Sequence, residues 1–330
     1  MQEEFENIPQ PDDYENEYEA LLVLAFIALW ALIISQLMRL ANLPKASNQQ
    51  MLLMEGEVTR EVTRHFSGIR KEIEQRTEPM IRDAYASGIA YSKVSTGYLP
   101  KGYSEVTKDN FEEVMEAVKA EVLKELDEIE EIRIKNISND TYTHLLEATQ
   151  NTEVSIKQLI RSSFSEAMQA SLRETDTSEI EKKVKESLNR KAMERKIEES
   201  QIAIIDKANR RWKLDTYINM ATRTVVANTY RDAIVEHAGK NNYDLAVISS
   251  HPLTTDECNN YEGMIVSLNG KTPGYLTYSE LKASKRIFHP NCRHFLRPFN
   301  NLKYLPASYK HKHEKQMEKH RRFIEKNGHL

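Results

Sequence analysis

IFHPNCRHFLRPF (287–299) packs two histidines, one cysteine, two arginines and two prolines into thirteen residues. Its second half, HFLRPF (294–299), reads as a short strand, and Pro298 confines it to a sheet edge or strand end because proline has no N–H for a ladder. Upstream, YDLAVISS (243–250) has the Val/Ile content of a buried strand, and GMIVSLNG (263–270) is a second apolar run bounded by glycines. Before these, RRWKLDTYINMATRTVVANTYRDAIVEHAGKNN (210–242) predicts one long amphipathic helix. Its apolar stripe runs through Trp212, Tyr217, Met220, Val225, Ala227, Tyr230 and Ile234 and ends near Gly239 as a C-cap. A long helix against a small antiparallel sheet makes residues 201–300 an α+β module.

Working toward the N-terminus, the character changes. No glycine occurs from 103 to 238 and no proline from 101 to 251, so the two strongest helix breakers are missing. EEVMEAVKAEVLKELDEIEEI (112–132) places Val114, Val118, Val122, Leu123, Leu126 and Ile129 at helical spacing. SNDTYTHLLEATQ (138–150) offers Asn139 or Asp140 as an N-cap, and TDTSEIEKKV (175–184) offers Thr177 or Ser178 with Glu181 as a capping-box acid. Residues 45–97 also read as helical, and GYLPKGYSE (97–105) is a turn-rich break. The expected fold class is therefore mostly α, with a small α+β C-terminal module and a long helical N-terminal region. The expected segments are 1–45 (acidic head and apolar helix), 46–200 (long helices), 201–300 (α+β module) and 301–330 (basic tail).

The termini carry opposite charge in a chain of net charge −4. Residues 1–19 hold eight acids and no Lys or Arg, whereas 300–330 hold eight Lys or Arg, three Glu and four His. That asymmetry suggests two environments, or simply solvated ends. Between head and helices lies ALLVLAFIALWALIISQLM (20–38), uncharged and apolar on every face. As a helix it would be about 28 Å long, near the thickness of a bilayer core. Leu21, Phe26, Trp30 and Ile34 are its candidate membrane contacts; burial among protein helices is the alternative. A secretory signal is disfavoured by the acidic segment before it. Two cysteines in 330 residues do not form a disulfide framework and fit assembly in a reducing cytosol.

The module carries an ordered set of short signatures. Arg223 and Thr224 lie on the helix, Ser249 to Pro252 end a strand, Asp256, Cys258, Tyr261 and Gly263 follow, and His289 to His294 close the set. In that order they resemble the minor capsid, or head morphogenesis, proteins of tailed bacteriophages, of the Mu F-like type. The resemblance covers roughly 205–300, and a long helical N-terminal region is similar to what such proteins carry. It implies a minor component of the phage head, inside the virion near the portal and in the host cytoplasm during assembly, that acts in head assembly, genome packaging or delivery. The partners it implies are the portal protein and a major capsid or scaffolding protein. Some relatives carry a second cysteine in a CxxC after the aspartate and end in CRC; here Tyr261 and His294 stand at those places.

Three chemistries fit the cysteine–histidine segments. A zinc ion would draw on Cys258, His289, Cys292 and His294, with His251 in reserve; the residue types suit zinc, but the spacings match no common finger. The reading also sets Cys292 and His294 on opposite faces of a strand. A nucleophilic Cys292 would need an exposed, activated thiolate and an orienting Asn291 or Asp256. The favoured reading needs no cofactor and is not enzymatic. Arg223, His251, Asp256, Cys258, His289, Asn291, Cys292 and Arg293 form a structural clasp of tight loops, with Arg293 paired to Asp256 and small cysteines filling gaps. Oxidation of Cys258 and Cys292 to a disulfide in an extracellular particle stays open. In the basic tail, Lys310, Lys312, Lys315, Lys319, Arg321 and Arg322 are candidate contacts to genomic DNA, through sequence-independent attraction to phosphates. The apolar run would meet a host membrane during genome delivery.

Overall fold

A computed structural model of the chain describes Ser35 and residues 47–173, 202–207, 209–251 and 257–327. The described residues form six α-helices and five short strands. In chain order the helices are α1 (Asn48–Ser95), α2 (Phe111–Glu125), α3 (Glu128–Arg173), α4 (Leu214–Lys240), α5 (Tyr278–Ser284) and α6 (Ala307–Asn327). The strands are β1 (Ile202–Ile205), β2 (Arg211–Lys213), β3 (Leu245–Ile248), β4 (Ile265–Ser267) and β5 (Leu296–Phe299). The fold is mostly α, with a long helical N-terminal region and a small C-terminal sheet. The runs at 20–38 and 175–184 lie outside the described residues, save for Ser35. No helix among the described residues is long and apolar enough to cross a membrane.

Two details of the helical region differ from expectation. No helix starts at Asn139 or Asp140; α3 runs straight through them. The start lies upstream at Asp127, whose Oδ1 accepts from the Glu130 N–H at 2.8 Å while Glu130 Oε2 accepts from the Asp127 N–H at 2.9 Å. That reciprocal pair is a capping box, and continued burial of Ile134, Ser138, Thr141 and Leu145 carries the helix onward. The predicted apolar stripe of 112–132 likewise ends early. Val114, Val118 and Val122 are buried, but Leu123, one residue past Val122 on α2, turns off that stripe and is exposed, and Ile129, beyond the break between α2 and α3, is exposed as well.

The chain divides into two compact units. One contains the described residues of Asn16–Thr77 and Asn139–Met220. In it α1 buries Val58, Val62, Phe66, Ile69 and Ile73, and α3 buries Leu145, Ala148, Thr152, Ile156, Leu159, Ile160 and Phe164. Both are helical stripes of three- and four-residue spacing. Arg70 bonds Glu153, which Lys157 also meets at 2.6 Å. β1 and β2 pair antiparallel, so the helix expected from 210 begins only at Leu214 and Trp212 lies on a strand. The cause is the turn at Asp206: its carboxylate accepts from the Arg210 backbone N–H at 2.9 Å and from Trp212 Nε1 at 3.0 Å.

The other unit contains Glu78–Ser138 and the chain from Ala221 onward. α1 and α4 approach so closely at Gly88 that a Cβ there would lie 2.4 Å from the Tyr230 carbonyl oxygen. An aromatic chain passes from Phe111 through Tyr91 and Tyr230 to Phe295. The sheet is antiparallel in the order β4–β3–β5, so Pro298 sits on an edge strand, as its missing N–H requires. A cluster of Leu245, Val247, Ile265, Phe299 and Leu305 packs beside it. The outward N–H groups of β4 are both taken: Ile265 donates to His313 Nδ1 at 3.0 Å, and Ser267 to the Leu276 carbonyl at 2.9 Å.

Candidate functional site

The loops after β3 and before β5 meet beside α4. The meeting point is organised by Arg231, on α4, whose side chain is fully buried. Its guanidinium donates to the His294 carbonyl at 2.9 Å, to the Cys292 carbonyl at 3.4 Å and to Asn228 Oδ1 at 2.7 Å, and lies over the Phe288 ring. A buried cation is costly unless its donors are used; here two loop carbonyls and the Asn228 amide take hydrogens from the two terminal nitrogens. Two turns earlier on α4, the Thr224 hydroxyl accepts from the Asn291 backbone N–H at 3.1 Å and Arg223 reaches Asn291 Oδ1 at 3.3 Å. Phe288 and Asn291 both hold positive φ, of 59° and 69°, so the loop is sharply turned at two non-glycine positions.

Within this frame the two cysteines approach. Cys258 Sγ and Cys292 Sγ are 3.9 Å apart, both free and both buried. Cys258 Sγ is 2.9 Å from His289 Nε2, and these three side chains bring their ligand atoms within 4.8 Å of one another. Cys292 Sγ also accepts from the Phe288 backbone N–H at 3.3 Å and lies 3.4 Å from His294 Nδ1. The expectation that Cys292 and His294 face apart is therefore wrong. Alternate residues of an extended chain share a face, and both are buried here.

His294 bridges to a second buried group. Its Nε2 is 3.0 Å from Glu262 Oε1, and the same carboxylate oxygen accepts from the His251 backbone N–H at 2.9 Å. The His251 ring sits edge-on to that of His294, 4.9 Å between centroids, and its Nε2 is 3.2 Å from Ser249 Oγ. Hydrogen bonding from the Cys258 thiol pushes the Cys292 pKa down, against burial, with His294 adding to the effect. Burial opposes charge on His294, but Cys292 and then Glu262 outweigh it and raise its pKa. The cluster thus favours a thiolate at Cys292 and an imidazolium at His294.

Of the clasp residues read from sequence, the fold brings together His251, Cys258, His289 and Cys292, and ties Arg223 to Asn291. Arg293 is exposed, and its expected partner Asp256 lies outside the described residues. Arg231 and Glu262 carry much of the arrangement and were not singled out, whereas Thr224, read only as one of the ordered signatures, holds the Asn291 backbone. Arg231 stands one α-turn from Ala227 and Ile234 on a buried helix, which was the available signal.

The basic tail is a docked helix. α6 turns His313, Gln316, His320 and Phe323 inward. Gln316 Nε2 donates to the carbonyls of Asn259 and Glu262, each at 3.1 Å, and the Phe323 ring lies 4.4 Å from the Arg286 guanidinium. Lys312 Nζ bonds Ser250 Oγ at 2.6 Å, and Arg321 and Arg322 both meet Glu318. Lys310, Lys315 and Lys319 lie on the exposed face. Leu21, Phe26, Trp30 and Ile34 lie outside the described residues.

No curated protein and no solved structure matches the chain. A family profile does: that of phage minor capsid protein 2 matches residues 36–327, across both the long helices and the module with its cysteine–histidine loops. With nearly the whole chain so covered, this protein belongs to the phage minor capsid protein 2 family.

Proposed function

We propose that this chain is a minor head protein of a tailed phage, with a module of Mu F-like type that docks at the portal or inner capsid and acts in head assembly and genome packaging or delivery. The coarser part follows from family: a minor capsid protein has a structural role in the virion and meets other virion components. The observation that supports docking is the way the loop cluster is held. Arg231 and Gln316 donate to loop carbonyls and the Thr224 hydroxyl accepts from a loop N–H, which holds the loops in one shape. Pre-organised loops lose little entropy on binding a partner. The portal protein and a major capsid or scaffolding protein are the partners in this reading. Lys310, Lys315 and Lys319 on the outward face of α6 would add contacts to packaged DNA. The 20–38 run would meet a host membrane at delivery.

The test is quantitative mass spectrometry of purified DNA-filled particles beside empty proheads. A few copies per particle in both are expected. Absence from both would sink the virion placement.

A second reading rests on Cys292, His294 and Glu262, which line up as nucleophile, base and orienting acid. Burial of the Cys292 thiol weighs against it, because a substrate carbonyl must reach the sulfur. Cys292→Ala separates the two readings: a hydrolase loses turnover and stays soluble, whereas a clasp loses stability.

A further inference from the structure

We propose that Cys258, His289 and Cys292 bind one zinc ion, which joins the 257–260 turn to the loop before β5. The donor set is two thiols and one imidazole, brought together from segments about thirty residues apart in sequence. Tetrahedral zinc, with Zn–S of about 2.3 Å and Zn–N of about 2.0 Å, sets its sulfurs about 3.8 Å apart and its S···N pairs about 3.6 Å apart. The two sulfurs already stand at 3.9 Å. The Cys258–His289 contact of 2.9 Å is that of a thiol–imidazole hydrogen bond, so the ring withdraws by under about 1 Å when metal replaces the proton.

The surroundings of each donor favour metal over a plain hydrogen-bonded cluster. His289 Nδ1 is 2.8 Å from the Pro290 carbonyl, which can only accept, so Nδ1 carries the hydrogen. In the neutral ring Nε2 then presents its lone pair toward Cys258, which is how a ligating imidazole is commonly oriented. Cys292 Sγ receives the Phe288 N–H, a backbone donor that stabilises a thiolate. His294 stands behind Cys292, held by Glu262, outside the triangle of mutually close ligand atoms. It therefore acts as an outer partner of Cys292, and solvent completes the tetrahedron on the side of half-buried His289. Cys292 is already favoured as a thiolate, so binding releases the Cys258 thiol proton and leaves two thiolates on a divalent ion. Two soft sulfurs with one borderline nitrogen select zinc over magnesium or calcium.

The test uses the full chain, without an affinity tag, purified from zinc-supplemented cells without chelator. Metal analysis should find about one zinc per chain. Exchange with cobalt(II) should give thiolate-to-cobalt charge transfer in the near ultraviolet and the d–d bands of a tetrahedral site. Cys258→Ser should lose both signals. His289→Gln leaves both thiols in place and should weaken cobalt binding at least tenfold, whereas His311→Gln, on the exposed face of α6, should change nothing. If Cys258→Ser fails to fold, the unaltered chain and His289→Gln decide the matter. A folded chain that carries no zinc and gives no cobalt bands would overturn the proposal. So would a thiol titration that finds Cys258 and Cys292 joined as a disulfide.

Discussion

Helix α2 buries Phe111, Val114, Val118 and Val122, four apolar side chains at three- and four-residue spacing. The loop cluster in the same unit buries Arg231, Glu262 and His294, and each of these bonds a side chain or carbonyl of another segment. The helix is held by area removed from water, which is non-directional and forgiving. The loops are held by a few directional bonds, each costly to leave unmade once buried. One region should degrade gradually under substitution, and the other should fail at single positions.

Arg231→Met is the sharpest way to test that contrast. It leaves the carbonyls of Cys292 and His294 without their donor, and a loss of about 3 kcal/mol or more is expected in chemical unfolding. Gly88→Ala comes next, at about 2–3 kcal/mol, because its Cβ would press on the Tyr230 carbonyl and force α1 and α4 apart; a fall in melting temperature reports it. Val118→Ala should cost about 2 kcal/mol by the same unfolding measurement. Should it cost more than Arg231→Met, the contrast fails and the loops draw their hold from apolar packing after all.

Smaller effects sharpen the picture. Thr277 caps α5 in a complete capping box with Glu280, so Thr277→Ala should cost about 1 kcal/mol, and Thr277→Ser almost nothing. The pH dependence concerns His237, whose Nδ1 lies 2.9 Å from Ser92 Oγ. Burial, with Lys93 nearby, pushes its pKa down from 6.5 to about 4. The unfolded chain therefore takes up the proton first as pH falls. The stability contributed by a neutral His237 is present above about pH 6.5 and is lost toward pH 4. Unfolding midpoints at pH 7 and pH 5 should differ in that sense, and His237→Gln should shrink the difference.

The same contrast explains what could be read from sequence. The long helices were legible because burial writes a period into the chain, as at Val114, Val118 and Val122. In the module β3 was legible from the Val/Ile content of 243–250, β4 from an apolar run bounded by glycines, and β5 from HFLRPF, where Pro298 named its own edge. Helix starts were less so: Asn139 and Asp140 look like caps, but the sequence does not say that Asp127 already serves. At the site, the cysteines and histidines announced themselves by type. Arg231 and Glu262 did not, because a lone charge on a helix or in a loop looks the same whether solvated or buried. Only the fold shows that Arg231 faces two loop carbonyls 61 and 63 residues away.

The two capped N–H groups of β4 have a consequence for a protein that works in many-copy assemblies. An open strand edge is a template on which another chain can pair and polymerise. Here Ile265 is occupied by His313 and Ser267 by Leu276, while Pro298 removes a donor from the opposite edge. Burial lowers the His313 pKa, which favours the neutral ring that can accept this bond. The C-terminal helix thus closes one N–H of this edge, and truncation before Ala307 should increase aggregation relative to the full chain in light scattering.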